Sequence, residues 1–146
     1  MNEYRKKVEI RWSDLDPNFH LRHSVYYDWG AFVRMSFLNE QGLTASLMEE
    51  YHTGPILFRE EAVFKREIRF EDTIEITLTI TKARRDMARW TMAHEIWKNG
   101  DTLCALITID GAWLDTAKRK ITLPPALFAE KFGNLPKAEN FEWLEK

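Results

Sequence analysis

Residues 10–34 read IRWSDLDPNFHLRHSVYYDWGAFVR. The stretch opens in the alternation of a strand and closes in the rhythm of a helix. Lys7 to Trp12 sets Val8, Ile10 and Trp12 against Lys7, Glu9 and Arg11, which predicts a strand with one buried face. Asp14 to Arg22 holds too many turn formers to continue it. Val25, Trp29, Val33 and Phe37 then recur every fourth residue, with Tyr26, Phe32 and Met35 widening the stripe. This predicts a helix over 24–39, roughly 24 Å long. Ser24 is its expected cap, and Gly42 its expected stop after Gln41. Gly30 weakens the interior by about 1 kcal/mol relative to alanine, and close packing on a sheet accounts for it. The hinge between the two patterns carries Asp14, Asp16, His20 and His23, where a plain connector would serve.

Outward from the hinge, Thr44 to Tyr51 reads as a shorter helix. From Pro55 to Pro124 the chain reads as sheet. Ile56 to Phe70 holds one or two strand segments, with alternation at Phe64, Ile68 and Phe70. Ile74, Ile76, Leu78 and Ile80 alternate with Glu75, Thr77, Thr79 and Thr81, a strong strand signal. Turns are expected at Glu71-Asp72 and Arg85-Asp86, and a hairpin at Asn99-Gly100 between strands 88–97 and 103–114. Pro124 and Pro125 open a short helix through Phe132. The tail has little pattern, and Phe141, Trp143 and Leu144 are its means of clipping to the body. The order strand, long helix, short helix, antiparallel meander is α+β. One helix covers only part of a sheet of five or six strands. The remaining surface and strand edges favour self-association.

The chain has 146 residues, 45% apolar and 30% charged, which suits one globular domain over 1–146, with a core of about 4–132 and a tail over 133–146. A net charge of −2 argues against nucleic acid or an anionic membrane as partner. No apolar run approaches the ~18 residues of a membrane span. The single cysteine, Cys104, leaves no internal disulfide and no cysteine-based zinc site, and fits a cytoplasmic location. Aromatics reach 13%, with six Trp, enough for a core plus an interface or an apolar pocket.

Asp14-Leu15-Asp16-Pro17, followed by His20, His23, Tyr26 and Arg34, resembles the signature of hotdog-fold acyl-CoA thioesterases of the 4-hydroxybenzoyl-CoA thioesterase type. The close WLDTAKRKITLPPALF (113–128) is similar too, and the likeness covers roughly residues 4–132. The resemblance implies a long helix wrapped by a curved antiparallel sheet, dimers or tetramers with interfacial active sites, and hydrolysis of an acyl-CoA to free acid and CoA. It implies no metal and no other cofactor. Asp16 matches the nucleophile or general base. His23 matches a position where some relatives place a catalytic histidine, and the backbone N–H of the helix start polarises the carbonyl. Tyr26 and Arg34 match positions that shape the pocket and pack the helix. Phe19 stands where a glycine is common, and Ala31 where many relatives carry a helix Glu.

The residues argue separately for this chemistry. A thioester hydrolase needs a base or nucleophile, oxyanion donors and a channel for a long apolar arm. Asp16 sits between a strand end and a helix start, where a carboxylate leans over free amides. Asp14 and Asp16 point oppositely if the segment is extended, so one of them braces the turn. An Asx-turn before Pro17 is the purely structural account of either. His20 is the weaker histidine. The spacing of the cluster is not that of a metal site. Lys82, Arg84 and Arg85, and separately Lys118 to Lys120, lie near strand ends where CoA phosphates would be held. Ile56-Leu57-Phe58 is expected to line the acyl site, with Phe58 in contact. An acyl-carrier-protein thioesterase and a non-hydrolytic acyl-thioester binding protein are the alternatives.

Overall fold

The computed structural model describes residues 3–144. Strand β1 (Arg5–Val8) is followed by a 3₁₀ turn over Trp12–Asp14, helix α1 (His23–Glu40) and helix α2 (Ala45–Glu50). Strands β2 (Thr53–Phe64), β3 (Ile74–Thr77), β4 (Thr79–Arg84), β5 (Arg89–Lys98), β6 (Thr102–Asp115) and β7 (Lys120–Ile121) come next. Helix α3 (Ala126–Phe132) and strand β8 (Lys137–Leu144) close the chain. The result is a hotdog: α1 lies along the concave face of a curved sheet. No helix among the described residues is long and apolar enough to cross a membrane.

Helix α1 is set by its stripe. Val25, Trp29, Val33 and Phe37 are all buried, whereas Phe32 and Met35, expected to widen the stripe, are exposed. Its end is a Schellman motif: Gly42 at φ +83° donates to the Asn39 carbonyl, and Leu43 to that of Leu38. Its start differs from expectation. Arg22 is the cap residue and offers no side-chain acceptor. Ser24 lies inside the helix, and its Oγ accepts from the Arg22 guanidinium at 2.6 Å.

The strands follow the order β1–β3–β5–β4–β8, with β6 on the other side of β5 and β2 outermost beyond β6. β3 and β4 are one strand line broken at Leu78, whose N–H bonds to the Tyr4 carbonyl. All pairings are antiparallel except β4 with β8. β1 is shorter than its pattern. Val8 pairs with Ile74, where β3 begins, so Ile10 to Trp12 have no strand to pair with and Trp12 is 73% exposed. Likewise β2 ends at Phe64, and buried Ile68 belongs to no strand. Strand β8 forms in the tail that carried little pattern.

Strand β2 pairs with β6 through a bulge. Leu57 faces Gly111 and Arg59 faces Asp110, leaving Phe58 unmatched. One inserted residue switches which parity points inward. Gly111 is required here: a Cβ would meet the Trp90 ring and lie 2.5 Å from the Ile56 carbonyl oxygen.

A buried polar chain seats α1 on the sheet. His94, fully buried on β5, lies 2.9 Å by its Nδ1 from the Thr77 carbonyl. A carbonyl only accepts, so Nδ1 carries the proton and Nε2 accepts from Arg34 of α1 at 2.8 Å. Arg34 also lies 3.8 Å from Glu60 of β2. Burial, with Arg34 beside it, pushes the His94 pKa down to about 3. The unfolded chain therefore takes up a proton near pH 6.5 that the folded chain refuses. Stability is complete above that pH and falls as the pH drops toward the folded value, by at most about 1.4 kcal/mol per unit. Burial raises the Glu60 carboxyl, with Arg34 opposing, which works in the opposite sense nearer its own titration. We expect urea unfolding to show a loss of about 1 kcal/mol between roughly pH 7 and 5.5. His94→Gln, which keeps a donor and an acceptor, should flatten that slope.

Candidate active site

The two aspartates of the hinge separate into two jobs. Asp14 is buried. Its Oδ2 accepts the Arg11 backbone N–H at 2.8 Å, and its Oδ1 the Arg11 guanidinium at 2.9 Å. Its carbonyl takes the N–H of Arg22. Burial alone would raise the Asp14 carboxyl; the Arg11 bonds outweigh it and hold it below the usual carboxylate range. Asp14 thus fixes where the chain turns and where α1 begins.

Asp16 heads a tight loop closed by a Leu15–Leu21 bridge. Its N–H bonds to the His20 carbonyl, and its own carbonyl accepts from Phe19. Phe19 holds φ +63°, the left-handed conformation that glycine adopts most easily. One carboxylate oxygen, Oδ1, accepts the N–H groups of Asn18 at 2.9 Å and His20 at 3.1 Å. The other, Oδ2, has no protein donor among the described hydrogen bonds. The Asx-turn and an available carboxylate oxygen therefore coexist on one side chain.

Asp16 opens on a cleft of about 390 Å³ with Leu21, His23, Tyr26, Phe64, Lys65, Arg66 and Glu67. His23 is exposed at the first position of α1. The Val25 N–H bonds to Arg22, but the amides of His23 and Ser24 have no acceptor among the described hydrogen bonds. With no capping side chain, they form an unclaimed donor pair at the positive end of the helix. Tyr26 is buried and meets Phe64 edge-on at 4.9 Å between ring centroids. Burial, then the charges of Cys104, Asp16 and Glu67, pushes its phenol up to about 12, so it stays a neutral donor. His20 Nε2 lies 3.2 Å from the Glu67 carboxylate.

The other expected contacts do not gather here within one chain. Phe64 pairs with Ala105 and Ile56 with Ala112 on β6, a separation of roughly 26 Å along the strand. Phe58 sits at that far end under the Arg89 guanidinium, 5.3 Å from the ring centroid. Arg84 is paired with Asp86 at 2.9 Å, and Arg85 stacks over Trp143 at 4.8 Å. Lys82 lines an outer-face cleft with Thr79 and Thr91. Lys118 and Arg119 lie in the β6–β7 turn, and Lys120 starts β7. The basic residues at the Asp16 cleft are instead Lys65 and Arg66. Their signal was the break from Val63-Phe64 into three successive charges, which marks a strand end. Among the described residues no group of three or more His, Cys, Asp or Glu is placed to hold a metal ion.

Residues 10–132 match the model of the thioesterase-like superfamily. None of the curated proteins matches this chain in sequence. Among solved structures, a Staphylococcus aureus protein in complex with CoA superposes with a TM-score of 0.85 at 16% identity, covering 99% of this chain and 89% of that one. The DHNA-CoA thioesterase of the same organism gives 0.80 at 15% identity, over 91% and 90% of the two chains. A 1,4-dihydroxy-2-naphthoyl-CoA thioesterase from Synechocystis gives 0.80 at 16%, over 93% and 99%. At these identities the likeness carries the fold.

The division of labour between the aspartates predicts their stability effects. Asp14→Ala leaves the Arg11 amide without its acceptor and should cost about 3 kcal/mol. Asp16→Asn keeps an oxygen for the Asn18 and His20 amides and should stay within about 0.5 kcal/mol of the parent. Urea midpoints of the two variants measure the difference.

Proposed function

The chain belongs to the thioesterase-like superfamily, and on that premise we propose that it hydrolyses an acyl-CoA thioester to the free acid and CoA. One observation carries the reading. Asp16, whose Oδ2 has no protein donor among the described hydrogen bonds, lines one cleft with His23, the first residue of α1, where the His23 and Ser24 amides are unclaimed. A thioester carbonyl set between them meets attack at carbon and hydrogen bonds at oxygen. The attacker is the Asp16 carboxylate, through an anhydride that water then opens, or water that gives Asp16 its proton. In both forms the same oxygen acts, the C–S bond breaks, and the CoA thiolate leaves and is protonated. His23, at the cleft on the first turn, assists the carbonyl and the departing sulfur. Tyr26 and Phe64 wall the thioester. Lys65 and Arg66 at the rim suit the CoA phosphates. The net reaction consumes only water, and a cytoplasmic location is part of the reading.

The site is completed by a second copy. β2 has twelve residues, pairs with β6 on one side, and has no strand on the other among the described residues. Leu57, Phe58, Val63 and Phe64 stand exposed along it. Antiparallel pairing of two β2 edges about a two-fold axis near Glu60 sets Arg59 of one copy against Glu61 of the other, twice. The same pairing brings the 56–58 end of one copy to the Phe64 end of the other. Phe58 then approaches the Asp16 cleft across the interface, although it is remote from it within one chain; Arg84 and Arg85 lie at the same end of the sheet, three strands in from the paired edge.

Asp16→Asn should lower kcat by about 10³-fold while leaving CoA affinity unchanged by calorimetry. Hydrolysis that survives within a few-fold of the parent rejects the assignment. For the interface, Arg59→Glu should shift the protein toward monomer in sedimentation. The double variant R59E/E61R should restore the dimer, and an unchanged R59E dimer would rule out this register.

A further inference from the structure

A second cavity lies further along the groove between α1 and β2. Its volume is about 180 Å³, and Ala31, Arg34, Met35, Leu57, Trp90 and Met92 contribute to its lining. Close-packed interiors leave few voids larger than a water molecule, so an apolar recess of this size, open at its mouth, has room for a small apolar group. Ala31, Met35 and Leu57 are exposed and form its mouth. Arg34 is the charged member of the lining, and its guanidinium is turned onto His94 and Glu60. Trp90 is buried, with an indole N–H that has no hydrogen-bond partner among the described residues.

We propose that this cavity receives the acyl group of the thioester and restricts the substrate to compact apolar acyl groups. Benzene fills an engineered apolar cavity of about 150 Å³, or roughly 25 Å³ per carbon. By that measure the cavity holds about seven carbons: a medium chain or a single aromatic ring. A long fatty acyl chain does not fit. The inference rests on the hydrolase reading above, and it takes its geometry from the paired β2 edges. Along α1 the mouth runs from about 7.5 Å (Ala31) to about 14 Å (Met35) beyond Tyr26, so a six-carbon chain held at this chain's own Asp16 reaches only its near edge. Leu57 at the mouth lies at the 56–58 end, which the two-fold pairing sets beside the Asp16 cleft of the second copy. Each copy thus supplies the acyl pocket for the other's carboxylate.

Two measurements on the full chain test this separately from hydrolysis. Calorimetry compares the non-hydrolysable thioethers methyl-CoA and hexyl-CoA. Burial of each methylene is worth about fourfold in affinity, so hexyl-CoA should bind at least about thirtyfold more tightly. Ala31→Trp or Met35→Trp, both at the exposed mouth, should bring that ratio toward one. In turnover, hexanoyl- and benzoyl-CoA should exceed both acetyl- and palmitoyl-CoA in kcat/KM by at least tenfold, and Ala31→Trp should collapse that preference. A hexyl preference without turnover of any thioester supports the cavity and rejects the hydrolase. Turnover with equal thioether affinities, a ratio unmoved by both tryptophan variants, no thioether binding, or palmitoyl-CoA as the best substrate each overturns the cavity assignment.

Discussion

The position of α1 depends on the contact between Arg34 and His94. An apolar stripe of Val25, Trp29, Val33 and Phe37 holds a helix on a sheet but tolerates sliding, because hydrophobic contacts are non-directional. A guanidinium donating at 2.8 Å to a buried imidazole nitrogen tolerates far less, since a shift leaves a charge and an acceptor buried without partners. Gly30 makes the contact possible. A Cβ at that position would lie 3.1 Å from Arg34 Nη1 and 3.3 Å from His94 Cδ2. The helix glycine is the opening through which arginine and histidine meet, rather than a weak point. The amides at the start of α1, and with them the geometry around Asp16, inherit their place from this seat.

The hinge then divides one residue type between two roles. Asp14 and Asp16 differ in what remains after local bonds form. Asp14 gives both oxygens to Arg11 and is closed to solvent. Asp16 gives one oxygen to its own loop and keeps one for the cleft. A fully committed carboxylate has no oxygen left to meet a substrate, and a fully free one is not aimed. The half-committed state fixes orientation through Oδ1 and, on the proposed reading, leaves Oδ2 to act. The start of the helix is likewise uncommitted. With Arg22 at the cap, no serine or aspartate side chain competes for the His23 and Ser24 amides.

Much of this was legible in the sequence where a pattern carries its own partner. The α1 stripe, the Gly42 stop and the Asn99-Gly100 turn, with φ values of +54° and +80°, are decided by neighbours a few residues away. The misread strands share one cause: strands exist only where another strand pairs with them. Ile10 and Trp12 alternate correctly but pass the start of β3. Ile68 and Phe70 alternate correctly but leave β2. Conversely, β8 has weak alternation and forms because the β4 edge accepts it and Arg85 stacks on Trp143. That Asp16, His23 and Tyr26 lie together was readable because the hinge is contiguous. Lys65 and Arg66 reach the same cleft only through the register of β2 against β6, which no local pattern contains.

The bulge at Phe58 links these features. Before it, Pro55 and Leu57 line the apolar cavity; after it, Glu60 faces Arg34 and Phe64 meets Tyr26. The inward positions are odd on one side and even on the other. An unbulged strand could not present both sets, because a period of two fixes one parity throughout. It would turn either the cavity wall or the ion pair and the Tyr26 contact to the outer face. The inserted residue thus lets one strand run, on a single face, from an apolar chamber through a charged fastening to the Asp16 cleft. The absence of a side chain at Gly111, opposite Leu57, lets Trp90 and the Ile56 carbonyl close against β6 at the point where the parity changes.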